Sequence, residues 1–90
     1  MRLDKFLKVA RLAKRRTAAK EALDAGRIEI DGRAVKPSHQ VKPGDGLLIR
    51  YASRDLLVRV LAVPERSGPR VKPESLYEIL SDVRTSDRNA

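Results

Sequence analysis

Leu3, Phe6, Leu7 and Ala10 recur at the i, i+3, i+4, i+7 spacing of an amphipathic helix, with Val9 and Leu12 widening its apolar side. The pattern predicts a first helix from about Leu3 to Leu12. Asp4 falls in its first turn, where a negative charge complements the helix dipole, and is spaced to pair with Lys8 one turn on. A second helix is predicted from about Arg15 to Ala25, because Ala19, Ala22, Leu23 and Gly26 repeat the same spacing. Gly26 suits the left-handed residue that follows a helix, and the small alanines permit close packing.

After Gly26 the period changes. Ile28 and Ile30 alternate with Arg27 and Glu29, and Asp31-Gly32 supplies the two-residue turn favoured in hairpins. The return strand ends at Val35 and is broken by Pro37. Pro43-Gly44-Asp45-Gly46 marks a tight turn before an apolar strand, Leu47 to Tyr51, and a further strand spans about Leu56 to Val63. Pro64 to Pro73 holds three prolines, a glycine and several charges, which reads as an irregular surface connector. Leu76, Tyr77, Ile79 and Leu80 are expected to form one closing helical turn, and the residues beyond Ser81 a frayed tail. The expected fold is therefore α+β: two N-terminal helices packed on a small, mainly antiparallel sheet, with a short C-terminal helical turn.

Charge turns this outline towards a partner. Twenty Lys and Arg against twelve Asp and Glu leave a net charge of +8, the footprint of a polyanion binder. The excess is uneven: residues 1–36 carry eleven basic and five acidic side chains, the remaining 54 carry nine and seven. Between Arg2 and Lys20 stand eight cations and one acid, Asp4. A balanced charged face is ordinarily just solvated, but here the repulsion is largely uncompensated, and an anionic partner would relieve it. With 90 residues the chain has room for one modest core. It has no cysteine, hence neither disulfide nor thiolate chemistry, and no apolar run long enough to span a bilayer. A cytosolic location and no membrane partner are expected.

Catalysis finds little support. The single histidine, His39, stands beside Ser38 in a Pro-flanked loop, without a metal-ligand partner at suitable spacing, and reads as a solvent-facing loop residue. Turn formation explains Asp31 and Asp45, and Gly44 with Gly46 is too short to cradle a phosphate. No enzyme activity, metal or cofactor is expected. A helix-turn-helix DNA binder is the competing reading, since two short helices meet near Ala13-Lys14. Against it, the second helix alternates with alanine and offers no Asn or Gln to read adenine edges. Structured RNA fits better. With only Phe6, Tyr51 and Tyr77 as aromatics, stacking platforms for unpaired bases are few, so shape and backbone should be recognised more than sequence.

The stretch RLDKFLKVARLAKRRTAAKEALDAGRIEIDGRAVKPSHQVKPGD, about half the chain, resembles the S-four RNA-binding domain. The specific parts are Arg2-Leu3-Asp4-Lys5, Arg16 with Ala19 and Lys20, Gly26-Arg27-Ile28, Asp31-Gly32, and Val41-Lys42-Pro43-Gly44-Asp45. Arg15 departs from the pattern, standing where many such domains place a helix-starting Ser; Thr17 is then the residue placed to cap a slightly later start. Many such domains are appended to catalytic ones, but here the domain opens the chain and about 40 residues follow it, too few for a catalytic unit. Residues 1–63 are expected to form the RNA-binding domain and 64–90 the connector, helical turn and flexible tail.

Within the family the chain is similar to stand-alone proteins related to heat-shock protein fifteen. It is more similar to the short, RqcP-like branch of ribosome-associated quality control factors, through Lys14-Arg15-Arg16-Thr17, Ala19-Lys20-Glu21 and Tyr77-Glu78-Ile79-Leu80. The resemblance implies binding to a large ribosomal subunit that still holds peptidyl-tRNA, during alanine-tail elongation. Large-subunit ribosomal RNA and the tRNA would be contacted beside the factor that recruits alanyl-tRNA, and the free protein would be a monomer. Arg2, Lys5, Lys8, Arg11, Lys14, Arg15, Arg16 and Lys20 are the expected RNA contacts, with Arg16 central. Asp4 is expected to orient Arg2, Lys8 or Arg16 as an exposed pair, contributing only about 0 to 1 kcal/mol to folding.

Overall fold

A computed structural model describes residues 1–64 and 72–85. Helix α1 spans Leu3–Val9 and α2 spans Arg16–Asp24; strands β1 (Ile28–Ile30), β2 (Arg33–Ala34), β3 (Gly46–Arg50) and β4 (Arg54–Val60) follow. A single 3-10 turn at Pro73–Ser75 leads into β5, Tyr77–Arg84. The strands form one open antiparallel sheet in the order β2-β1-β3-β4-β5. Strand alternation turns Ile28, Ile30, Leu47, Ile49, Leu56, Val58 and Val60 inward, where they meet Leu3, Phe6, Leu7, Ala10, Ala19 and Leu23 of the helices in one core.

Both helices stop in the same way. At the end of α2, Gly26 takes φ +73° and its N–H donates to Leu23 O (3.0 Å), while Arg27 N–H donates to Ala22 O (3.0 Å). This is the paired-bond ending in which a left-handed residue closes the last turn. Helix α1 ends identically but earlier than the apolar pattern predicts, because Arg11 takes the left-handed position (φ +58°). Its N–H donates to Lys8 O (3.0 Å), and Leu12 N–H donates to Leu7 O (2.9 Å). Leu12 still faces the core, as its apolar spacing predicts, but lies beyond the helix. The Asp31-Gly32 turn has positive φ at both residues (53° and 79°), as a tight two-residue hairpin requires.

The C-terminal end differs from expectation. Tyr77, Ile79 and Leu80, with Val83, belong to β5 and not to a helical turn; only Leu76 of that group enters the core. The physical reason is the free edge of β4, whose backbone groups require partners and find them in residues 77–84. A bulge between Leu57 and Val58 admits the extra residue, Leu80, opposite β4. Most of the predicted connector and the last five residues of the predicted tail lie outside the described residues.

Tyr51, at the end of β3, ties the sheet to the turn between the helices: its hydroxyl donates to Leu12 O at 2.6 Å. Burial pushes its pKa above the ordinary tyrosine value, an effect opposed by the nearby Arg54 guanidinium. A phenol whose pKa is raised on folding stabilises the protonated form. Its contribution is complete below the unfolded value of about 10 and is lost as pH rises through the folded one. Tyr51→Phe is expected to cost about 0.5 to 1.5 kcal/mol at neutral pH and to flatten the alkaline loss of stability, both measured by urea unfolding as a function of pH.

Candidate nucleic-acid interface

The first turn of α1 has no side-chain cap. Its amides are satisfied by a strap from residues 37–41: Leu3 N–H donates to His39 O (2.8 Å) and Asp4 N–H to Pro37 O (3.2 Å). Val41 N–H donates back to Met1 O (3.1 Å), Arg2 pairs with Gln40 as an isolated β-bridge, and the Met1 amino group donates to Gln40 Oε1 (3.2 Å). His39 is thus part of the scaffold and not the solvent-facing residue expected. Its ring is one-third exposed and its Nε2 is buried, 3.7 Å from Asp45 Oδ2. Asp45 serves the turn, accepting from Lys42 N–H at 3.0 Å.

Held by this strap, the Asp4 side chain is only 3% exposed. Oδ1 accepts from Lys5 N–H at 2.7 Å; Oδ2 lies 3.3 Å from Arg2 Nη2 and 3.4 Å from Arg16 Nε. Two of the three suggested partners are therefore present. Lys8 is exposed, with no ion pair among the described residues, since the carboxylate is turned away from it to the other helix. Asp4 is also not an exposed pair: its carboxylate is buried while the two guanidinium side chains remain about half exposed, at 47% and 49%.

Arg16 is the first residue of α2, preceded by Arg15 in extended conformation with no side-chain cap. Thr17 does not replace it, because the helix begins ahead of Thr17. Arg2, Asp4, Arg16, Thr17 and Lys20 together line a shallow depression of about 260 Å³. Three cationic groups around a hollow, two of them paired with a buried carboxylate behind them, have the charge and donor geometry to meet a phosphate.

The other expected contacts lie elsewhere. Arg11 and Lys14 line a separate groove beside Tyr51, while Lys5, Lys8 and Arg15 line neither hollow. Lys5 is partly buried; Lys8 and Arg15 are exposed. Sequence reasoning missed Thr17 as a lining residue, and missed Arg27, Arg50 and Arg54, which the fold brings to the groove. The last three sit at strand ends, a signal weaker than the run of cations before Lys20. Among the described residues no His, Cys, Asp or Glu cluster could hold a metal, and no helix is long and apolar enough to cross a membrane.

Comparison with known proteins bears on the family and the fold. The S4 domain family model matches residues 1–47. The RQC P-site tRNA stabilizing factor of Streptococcus pneumoniae is 44% identical over 87 residues, covering 97% of this chain and 98% of that protein. Its Bacillus subtilis counterpart is also 44% identical, over 97% and 100%. Heat shock protein 15 of Escherichia coli is 35% identical over 87% of this chain and 59% of its own length. The trimeric structure of Vibrio cholerae Heat Shock Protein 15 superimposes with a TM-score of 0.79 at 25% identity, covering 88% of this chain and 80% of that one.

Because the carboxylate is buried and gathers two cations and an amide, Asp4→Asn is expected to cost about 1 to 2 kcal/mol in folding. That exceeds the value for a surface pair. The same substitution should weaken RNA binding by freeing Arg2 and Arg16; a thermal melt and an RNA titration read the two effects separately, and unchanged RNA affinity would leave Asp4 a purely structural role.

Proposed function

The chain belongs to the S4 domain family, among proteins named RQC P-site tRNA stabilizing factors, and from that premise we propose that it binds ribosomal RNA and tRNA on the large ribosomal subunit. It would act while obstructed peptidyl-tRNA is still present and alanine tails are being added. Its role is to hold RNA in place and involves no reaction chemistry. The factor that recruits alanyl-tRNA is its expected neighbour there, and the cytoplasm its expected compartment.

The observation that carries this reading is the fixed pair Arg2 and Arg16 over buried Asp4. A guanidinium presents several donors in a rigid plane and grips phosphate oxygens in a defined orientation. Arg16 adds the exposed amides of the first turn of α2, which reinforce the local positive potential. Lys5, Lys8, Arg11, Lys14, Arg15 and Lys20 extend the basic face and supply longer-range attraction. A-form RNA presents its backbone and 2′-hydroxyls where such a surface can meet them.

On a sucrose gradient of cell lysate the protein should migrate with large-subunit fractions; exclusive migration as free protein or with small subunits would overturn the proposal. Arg16→Ala should weaken RNA binding by about 1.5 to 3 kcal/mol and reduce the slope of log affinity against log salt by nearly one, from roughly four if about five phosphates are neutralised. Lys72→Ala, an exposed cation before the 3-10 turn, is the matched control. Equal losses from both substitutions would mean diffuse attraction in place of a site.

A further inference from the structure

Between the inter-helix turn and the β3–β4 hairpin lies a second hollow, a groove of about 500 Å³. Its floor is apolar, built from Leu12, Ala18, Ala22 and Ile49. Its other lining residues include Arg11, Lys14, Arg27, Arg50 and Arg54, and among the described residues no carboxylate lines it. Arg50 is engaged with Glu29 and Arg54 with Asp82 at 3.6 Å, whereas Arg11 and Lys14 have no ion pair among the described residues. Tyr51 stands in the wall with the Arg54 guanidinium over its ring, 5.1 Å from the centroid.

This chemistry selects its occupant. A phosphate alone has no use for the apolar floor, and an apolar side chain alone has none for five cations. A nucleotide with its base out of the helical stack carries both a flat apolar face and flanking negative charge. The volume falls within the range of small-ligand sites. Arg11 adds an independent sign: it holds the left-handed position at the end of α1, which glycine occupies without strain, and retains its cationic side chain at the groove.

We propose that this groove receives one unpaired nucleotide of the bound RNA, its base against the apolar floor and its phosphates at Arg11 and Lys14. The proposal rests on the RNA-binding reading above but concerns a site distinct from the Arg2–Asp4–Arg16 hollow. It refines the expectation that shape and backbone are recognised more than sequence, because the fold brings one of the three aromatics, Tyr51, to the wall of this groove.

The test uses the full chain and three synthetic RNA hairpins: a fully paired stem, the same stem with one bulged adenosine, and the same stem with an abasic residue at the bulge. Fluorescence anisotropy at one fixed salt concentration should give about tenfold tighter binding of the bulged adenosine than of the abasic bulge. Ala18→Leu, at an exposed helical position lining the groove, should fill the floor and bring that ratio near one without changing stem affinity, with circular dichroism reporting the retained fold. A ratio near one in the unsubstituted protein, or a ratio that Ala18→Leu leaves intact, would overturn the proposal. So would a ratio of one together with binding of an acidic, leucine-bearing peptide that Ala18→Leu abolishes, since the groove would then receive protein. Affinity for the paired stem and its sensitivity to Arg16→Ala report the general RNA-binding reading separately.

Discussion

Among the described residues one buried carboxylate, that of Asp4, organises the basic face. Removing an ionised group from water is costly unless charge and hydrogen bonds replace the lost solvation, and around Asp4 the Lys5 amide, Arg2 and Arg16 do so. The arrangement requires two helices and a strap from later in the chain to arrive at one point. Its electrostatic sum, two guanidiniums against one carboxylate, leaves a single outward positive charge, suited to one phosphate. Arginine side chains free in solution carry about 2 kcal/mol of rotamer entropy; two that are already tethered have less left to lose when RNA arrives.

Much of this was legible in the sequence because its signals were local. The period of Leu3, Phe6, Leu7 and Ala10 placed α1, the alternation about Ile28 and Ile30 placed β1, and Asp31-Gly32 placed the hairpin turn. The isolation of Asp4 among cations singled it out, and Arg2 and Arg16 do lie beside its carboxylate. What escaped notice depended on contacts distant in sequence. Tyr77 to Leu80 have no preference strong enough to reveal that the free edge of β4 will draw them into a strand. The burial of Asp4 could not be inferred from its sequence neighbours, because its turn of α1 is met by Arg16 and by the 37–41 strap, both distant in sequence. The apolar period could not reveal the left-handed Arg11, since an arginine after a run of helix formers carries no stop signal.

The two hollows share a frame. The turn from Ala10 to Arg15 lies between the helix that carries Asp4 and the helix that begins with Arg16, and its Leu12 carbonyl is held by Tyr51. Arg11 and Lys14 lie on this turn, and Tyr51 and Arg54 at the facing hairpin. One hydrogen bond from sheet to turn therefore bears on the position of both cationic surfaces. Five cations of the basic run are divided by the fold beneath them between a polar hollow (Arg2, Arg16 and Lys20) and an apolar-floored groove (Arg11 and Lys14).

The strap joining the two ends of this frame has a consequence for the order in which binding competence arises. Met1 and Gln40 are 39 residues apart, and the hairpin pairing that lies between them forms more slowly than either helix winds. A chain that has emerged only as far as α2 already displays its densest positive charge, yet lacks the backbone carbonyls that accept from the Leu3 and Asp4 amides at the start of α1. Such a nascent or partly folded chain would cling to RNA weakly and indiscriminately. On the proposed reading, selective grip would come only once the β1–β3 region had closed over the amino terminus, which would make specificity a late product of folding and attraction an early one.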